Sequence, residues 1–94
     1  MKLEVADGNG MMYFIARGDD GTEIGQTDFY TTADGDIVIT HVGVSPPHRG
    51  RGNGEEFVAC IARYAREKGV RVQPFCGFAR EVFSRRSDLR DVLM

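Results

Sequence analysis

No apolar stretch in this chain of 94 residues approaches the roughly 18 that a membrane-spanning helix needs, so no membrane span or membrane partner is expected. The opening residues, Met1-Lys2-Leu3-Glu4-Val5, lack the apolar core of a secretory signal, and a cytoplasmic location is expected. Cysteine is scarce. Cys60 and Cys76 could form one disulfide on count, but without a secretory signal two reduced thiols are expected. With two histidines beside them, and no Cys-x-x-Cys or His-x-x-x-His spacing, no metal site is expected. Basic side chains are scarce in one half. Residues 1–44 hold two (Lys2 and Arg17) against eight acidic ones, a net −6, whereas residues 45–94 hold ten against six, a net +4. The bland reading is a surface that happens to be polarised; the sharper one is that the second half handles an anionic ligand. Nucleic acid is not expected, because the arginines are interleaved with acids and the pI is near 5.6.

The chain is 41% hydrophobic and 28% charged, which fits an ordered globular protein rather than a disordered one. One domain over 1–94, acting as a monomer, is expected. The first half reads as strands: Leu3–Val5, Met11–Arg17, Glu23–Tyr30 and Asp36–Val44. Turn residues separate them, at Asp7-Gly8-Asn9-Gly10, Gly18-Asp19-Asp20-Gly21 and Thr32-Ala33-Asp34-Gly35. In the second strand Met12, Phe14 and Ala16 share one face, with Tyr13 and Ile15 on the other. Pro46-Pro47 stops the fourth strand. From Glu55 the period changes: Phe57, Val58, Ile61, Ala62 and Ala65 fall on one helical face, and Gly69 ends a helix expected over about 55–68. Val70–Phe75 reads as a fifth strand. Phe78, Val82 and Phe83 read as a short helix, with a final turn near Ser87-Asp88. The expected fold is therefore α+β: a twisted, mostly antiparallel sheet of about five strands with one main helix and a short C-terminal helix.

Between the most apolar strand and the main helix lies Arg49-Gly50-Arg51-Gly52-Asn53-Gly54. A helix N-terminus presents free N–H groups and partial positive charge. Glycines let the backbone come close to a phosphate, and two arginines add charge on the approach. Pyrophosphate binding follows from this order of elements, against the plainer reading of a turn that only links strand to helix. A P-loop is excluded because no Lys-Ser/Thr follows the last glycine. The dinucleotide fingerprint is excluded because its early glycine and its parallel sheet are missing.

The run Val42-Gly43-Val44-Ser45-Pro46-Pro47-His48-Arg49-Gly50-Arg51-Gly52-Asn53-Gly54 resembles the acetyl-CoA motif of the GNAT N-acetyltransferase superfamily. The likeness is closer to its short, Cys/Gly-type members. These carry Thr-His on the fourth strand, a proline-rich loop, Arg-Gly-x-Gly, one long helix and then Pro-x-Cys. Thr40-His41, Pro46-Pro47, Arg49-Gly50-Arg51-Gly52 and Pro74-Phe75-Cys76 stand here in that order, and the likeness runs from about Met12 to Leu93. It implies a GNAT-like fold and transfer of an acetyl group from acetyl-CoA, as co-substrate, to an amine acceptor. Full-length members cover the acceptor with two helices after the first strand; with only a tight turn there, the resemblance implies an open acceptor side, which suits a protein side chain or another bulky amine. The resemblance implies that Val42, Gly43 and Val44 hold the pantetheine arm. It places the pyrophosphate on the amides of Arg49, Gly50, Arg51, Gly52, Asn53 and Gly54, and Cys76 near the thioester.

Cys76 then has two readings, a packed thiol or a group that accepts the acetyl or protonates the departing thiolate. Cys60, beside Ile61, is expected in the core. His41 continues an apolar face through Ile37 and Ile39; it is read either as a hydrogen-bonded core histidine or as the general base. His48 is placed to touch phosphate or to stand exposed in the loop. Phe75, Phe78 and Phe83 are expected in the core. Glu55-Glu56 departs from the resemblance: a carboxylate at a helix N-terminus either competes with a phosphate and weakens CoA binding or has its side chain pointing away. That departure makes credible a CoA-binding module without transfer activity, and a plain interaction domain, in which the glycine loop is only a turn, also stays open.

Overall fold

The computed structural model of the chain describes residues 1–8 and 11–94. Four strands follow one another, β1 (Lys2–Gly8), β2 (Met11–Arg17), β3 (Glu23–Thr31) and β4 (Ile37–Val44), each antiparallel to the next. Local turn chemistry joins them. Gly21 and Gly35 take up positive φ, 85° and 87°, at the two described turns, and the Asp20 carboxylate accepts the Thr22 N–H at 3.0 Å. β1 continues through Gly8, while Asn9 and Gly10 of the expected first turn lie outside the described residues.

Pro46-Pro47 ends β4 as expected, in a short 3-10 turn (Pro46–His48). The glycine loop leads into α1 (Asn53–Lys68), then β5 (Val72–Pro74), α2 (Gly77–Arg85) and a second 3-10 turn (Ser87–Val92). β5 runs parallel to β4 and completes a sheet in the order β1-β2-β3-β4-β5. It is shorter than Val70–Phe75 because the helix stop takes the residues before it. Gly69 sits at φ 71°, its N–H reaches Arg66 O at 3.3 Å, and the Val70 N–H reaches Ala65 O at 3.0 Å. This pair of bonds satisfies carbonyls that the helix end would leave unpaired. None of the described helices is long and apolar enough to cross a membrane.

The core lies between one face of the sheet and the two helices. Phe14, Ala16, Phe29, Ile37 and Ile39 pack against Phe57, Val58, Ile61, Ala62 and Ala65 of α1 and Ala79, Val82 and Phe83 of α2. The Phe14 and Phe29 rings stack at 4.1 Å, and Tyr64 meets Phe14 edge-on at 5.3 Å. Cys60 is buried as expected. Phe75 and Phe78 are not core residues: they are 54% and 40% exposed, whereas Phe83 is buried. Phe75 follows the last residue of β5, and Phe78, in the first turn of α2, borders the cavity at the glycine loop, so neither is covered by a further layer.

A bulge in β4 sets the geometry beside the loop. β3 pairs Asp28 with His41 and Phe29 with Ile39, so Thr40 is an extra residue. Before it, the backbone of Ile37 and Ile39 is directed to the β5 side: Ile37 N–H donates to Arg71 O at 2.8 Å, and Phe75 N–H donates to Ile39 O at 2.9 Å. After it the parity reverses. Ser45 N–H donates to Ile24 O at 2.8 Å, so antiparallel alternation turns Gly43 and His41 toward β3 and turns Val42 and Val44 away. β5 pairs only as far as Ile39–Pro74, so the two strands fork there and β4 keeps a free edge.

The bulge also corrects the sequence reading of His41. The extra residue removes it from the face of Ile37 and Ile39 and puts it opposite Asp28, exposed on the sheet face that the helices leave open.

Candidate functional site

The three glycines of the loop have two different reasons. Gly50 and Gly52 sit at φ 74° and 77°, where a side chain is strained, and open space surrounds the positions their Cβ atoms would take. They serve the backbone path. Gly54 is inside α1 with ordinary φ, but a Cβ there would stand 2.7 Å from Phe78 Cζ and 3.5 Å from Val44 Cγ2. Its reason is the close approach of β4, α1 and α2.

Gly52 is the N-cap of α1 and provides no side chain to cap it; the first helical bond is Glu56 N–H to Gly52 O at 3.1 Å. The N–H groups of Asn53, Gly54 and Glu55 therefore have no partner within the helix. They border a cavity of about 290 Å³ lined by His48, Arg49, Gly50 and Gly52 on the loop side and by Val44, Phe78 and Arg85 opposite. Asn53 Nδ2 donates to His48 O at 2.9 Å and Arg49 Nε to Val44 O at 2.8 Å, so the loop is tied to both the 3-10 turn and the strand end. The second bond also shows the Val44 carbonyl directed away from β3. Arg51 is exposed and lies outside the cavity lining.

The two glutamates are both engaged by arginines. Glu55 accepts from Arg85 Nη2 at 3.0 Å and from Arg86 Nη1 at 3.1 Å. Glu56 accepts from Arg63 Nη2 at 2.8 Å. The charge that Glu55 brings to the helix start is therefore opposed by two guanidiniums, one of which lines the cavity itself. Of the two sequence readings, competition with phosphate or a side chain that points away, neither includes these partners.

At the fork, Phe75 makes the last bond to β4 and Cys76 is the next residue, the N-cap of α2. Its thiol is half-buried against the core. Thus the fold gathers Val44, Arg49, Gly50, Gly52, Asn53 and Gly54 at one cavity. Val42 stands along the free edge and Cys76 at the apex of the fork. Gly43, whose backbone bonds β3, and His41 face the other side of β4. Sequence reasoning missed Arg85 and Phe78, which reach the loop from α2. The single trace was a pair of basic residues, Arg85-Arg86, matched in charge to Glu55-Glu56, and no local pattern connects segments 30 residues apart.

Residues 12–92 match the family model described as GCN5-related N-acetyl-transferase. No curated protein matches the chain. Among solved structures, the fold is similar to the solution NMR structure of a Staphylococcus aureus protein described as a GCN5-like candidate N-acetyltransferase. The TM-score is 0.69 at 24% identity, covering 98% of this chain and 88% of that one. The α+β, GNAT-like architecture expected from the sequence is the one found.

Proposed function

As the chain belongs to the GCN5-related N-acetyltransferase family, we propose that it moves an acetyl group from acetyl-CoA to a primary amine. The observation that carries this reading is the free edge of β4. Val42 and Val44 direct backbone groups into a fork that opens at Ile39–Phe75, and its other end meets the uncapped start of α1. A pantetheine arm offers amides in an extended chain and pairs with such an edge as an added strand would. The pyrophosphate fits the amides of residues 50–54, with Arg49 and Arg85 beside it.

The chemistry needs little beyond placement. An ammonium must first lose a proton, to His41 or to water. The amine nitrogen then attacks the thioester carbonyl carbon, the C–N bond forms, and the C–S bond breaks. The nitrogen sheds its second proton to water as the amide forms, and the sulfur leaves as a thiolate that takes up a proton, for which Cys76 at the fork apex is a candidate donor that water then reprotonates. An N–H of the free edge at Val42 or Val44 stabilises the oxyanion. Holding both reactants contributes through effective molarity.

A second reading, a module that holds acetyl-CoA without transferring it, is favoured by one observation. His41 stands exposed on the open face while Cys76 packs against the core, so the two candidate catalytic side chains do not meet in one cavity. Acetyl-CoA titration with amide detection, followed by CoA release on a panel of amines, tests both. Shifts concentrated at residues 42–56 with turnover support transfer, and shifts without turnover support the module. Uniformly small shifts at millimolar ligand leave the loop as a turn.

A further inference from the structure

A groove of about 330 Å³ runs over the open sheet face, lined by Gln26, Asp28, His41 and Gly43 and ending at Val44 and Arg49. Val44 and Arg49 also line the loop cavity. The two hollows therefore adjoin across the end of β4, one on each side of the strand. Their charges differ. Arg49 lines both; beyond it the loop cavity has Arg85, Glu55 and the helix N-terminus, whereas the groove has the carboxylates of Asp28 and Glu23, drawn from the half of the chain with net −6.

Asp28 is out of place for a strand residue, since aspartate is depleted in sheets. It is half-buried, and Gln26 Nε2 donates to its Oδ1 at 3.3 Å. Elsewhere on this face Glu4 is paired with Arg17 at 3.3 Å, but among the described residues no arginine or lysine pairs with Asp28. The Thr40 bulge sets His41 directly across from it. Gly43 keeps the space beside the imidazole clear: a Cβ there would come within 3.3 Å of His41 Nε2.

We propose that this groove is the acceptor site and that Asp28 selects an acceptor bearing a primary ammonium on an unbranched alkyl stem. The proposal rests on the acetyl-transfer reading. An ammonium carries three donors, and Asp28, Gln26 and His41 supply acceptors on one face. Gly43, having no side chain, leaves room beside the imidazole for the stem. The lining contains no Phe, Tyr or Trp to stack an arylamine. The ammonium proton passes to His41, the imidazolium so formed faces Asp28, and the neutral amine is left to attack the thioester. A lysine side chain and an aliphatic polyamine share this chemistry.

Initial rates with acetyl-CoA would be measured for Nα-acetyl-lysine amide, putrescine and 4-aminobenzoate. Both alkylamines are expected to be acetylated in preference to the arylamine, and their kcat/KM ratio tells the two sources apart. Asp28→Asn is expected to raise KM for the alkylamines by about tenfold or more, with a smaller change in kcat, as loss of a charged hydrogen bond implies. An unchanged KM in folded Asp28→Asn, or a preference for 4-aminobenzoate, overturns the proposal. Titration of the wild-type protein with putrescine alone separates this from failure of the transfer reading. Amide shifts centred on Gln26, Asp28 and His41 support the groove even where no acetyl is transferred; their absence overturns it.

Discussion

Arg85, the last residue of α2, donates to Glu55, in the first turn of α1, at 3.0 Å across 30 residues of chain. With Arg86 on the other carboxylate oxygen, the motif's unusual glutamate becomes the anchor for a cation that lines the loop cavity. A bare carboxylate at a helix N-terminus would oppose a phosphate by about 0.3–1 kcal/mol. Because two guanidiniums already oppose this one, Glu55→Gln is expected to leave acetyl-CoA affinity within about twofold. Arg85→Ala is expected to weaken it by about 1 kcal/mol, an effect that shrinks as salt rises. Calorimetric titration at two salt concentrations checks both, and a clear tightening in Glu55→Gln would restore simple repulsion.

Gly54 and Phe78 are expected to behave as a coupled pair. A Cβ at position 54 displaces the Phe78 ring tip, so Gly54→Ala should lower stability by about 1 kcal/mol through overpacking. In Gly54→Ala/Phe78→Ala that cost should disappear, giving a double-mutant cycle that does not add. Urea unfolding of the four proteins measures it; strict additivity would show that the ring moves aside freely.

The two thiols should differ in reactivity. Burial pushes the Cys60 thiol above its ordinary pKa, against a weaker opposing pull from Arg63. Since the thiolate is the reactive form, iodoacetamide near pH 8 should label Cys76 first and Cys60 only on unfolding. If Cys76 protonates the departing thiolate, Cys76→Ala should slow CoA release by about 10²-fold or more, while Cys60→Ala retains it. Acetylation of the wild-type protein by acetyl-CoA without amine, seen as one added acetyl by mass, would instead make Cys76 a covalent carrier. A folded Cys76→Ala protein turning over at the wild-type rate would leave a packed thiol.

Acid should loosen the C-terminal segment before the sheet. Arg66 holds both oxygens of Asp91, each at 2.6 Å, and keeps its carboxyl below the ordinary 3.8; Arg86 does the same to Asp88. A carboxylate depressed in the folded state stabilises it above the unfolded value, and that contribution is lost as pH falls through the folded one. The loss therefore belongs below about pH 4. Wild-type Tm should fall more steeply there than that of Asp91→Asn, and parallel Tm–pH curves would remove the pair from the account.

Much of the fold is legible in the residues alone. The turn residues between strands act within four positions, and the helical period of Phe57, Val58, Ile61, Ala62 and Ala65 identifies the buried side of α1. The Gly50–Gly52 backbone path and the strand–loop–helix order are local in the same sense. Misreadings came where a distant contact outweighed a local pattern. Val70 looked like strand but satisfies a helix carbonyl at Ala65, and Phe75 and Phe78 looked like core but reach places that no other layer covers.

The sequence by itself determined the meander, the main helix, the glycine loop and the charge division between the halves, because propensity, turn chemistry and periodicity depend on neighbouring residues. Tertiary structure decided on which face His41 stands, which β4 amides are free and what Glu55 does. The first two depend on one extra residue at Thr40, whose place follows from pairing with β3 and β5 rather than from any property of threonine. The third depends on α2 returning across α1, which burial of Ala79, Val82 and Phe83 dictates and no local signal encodes.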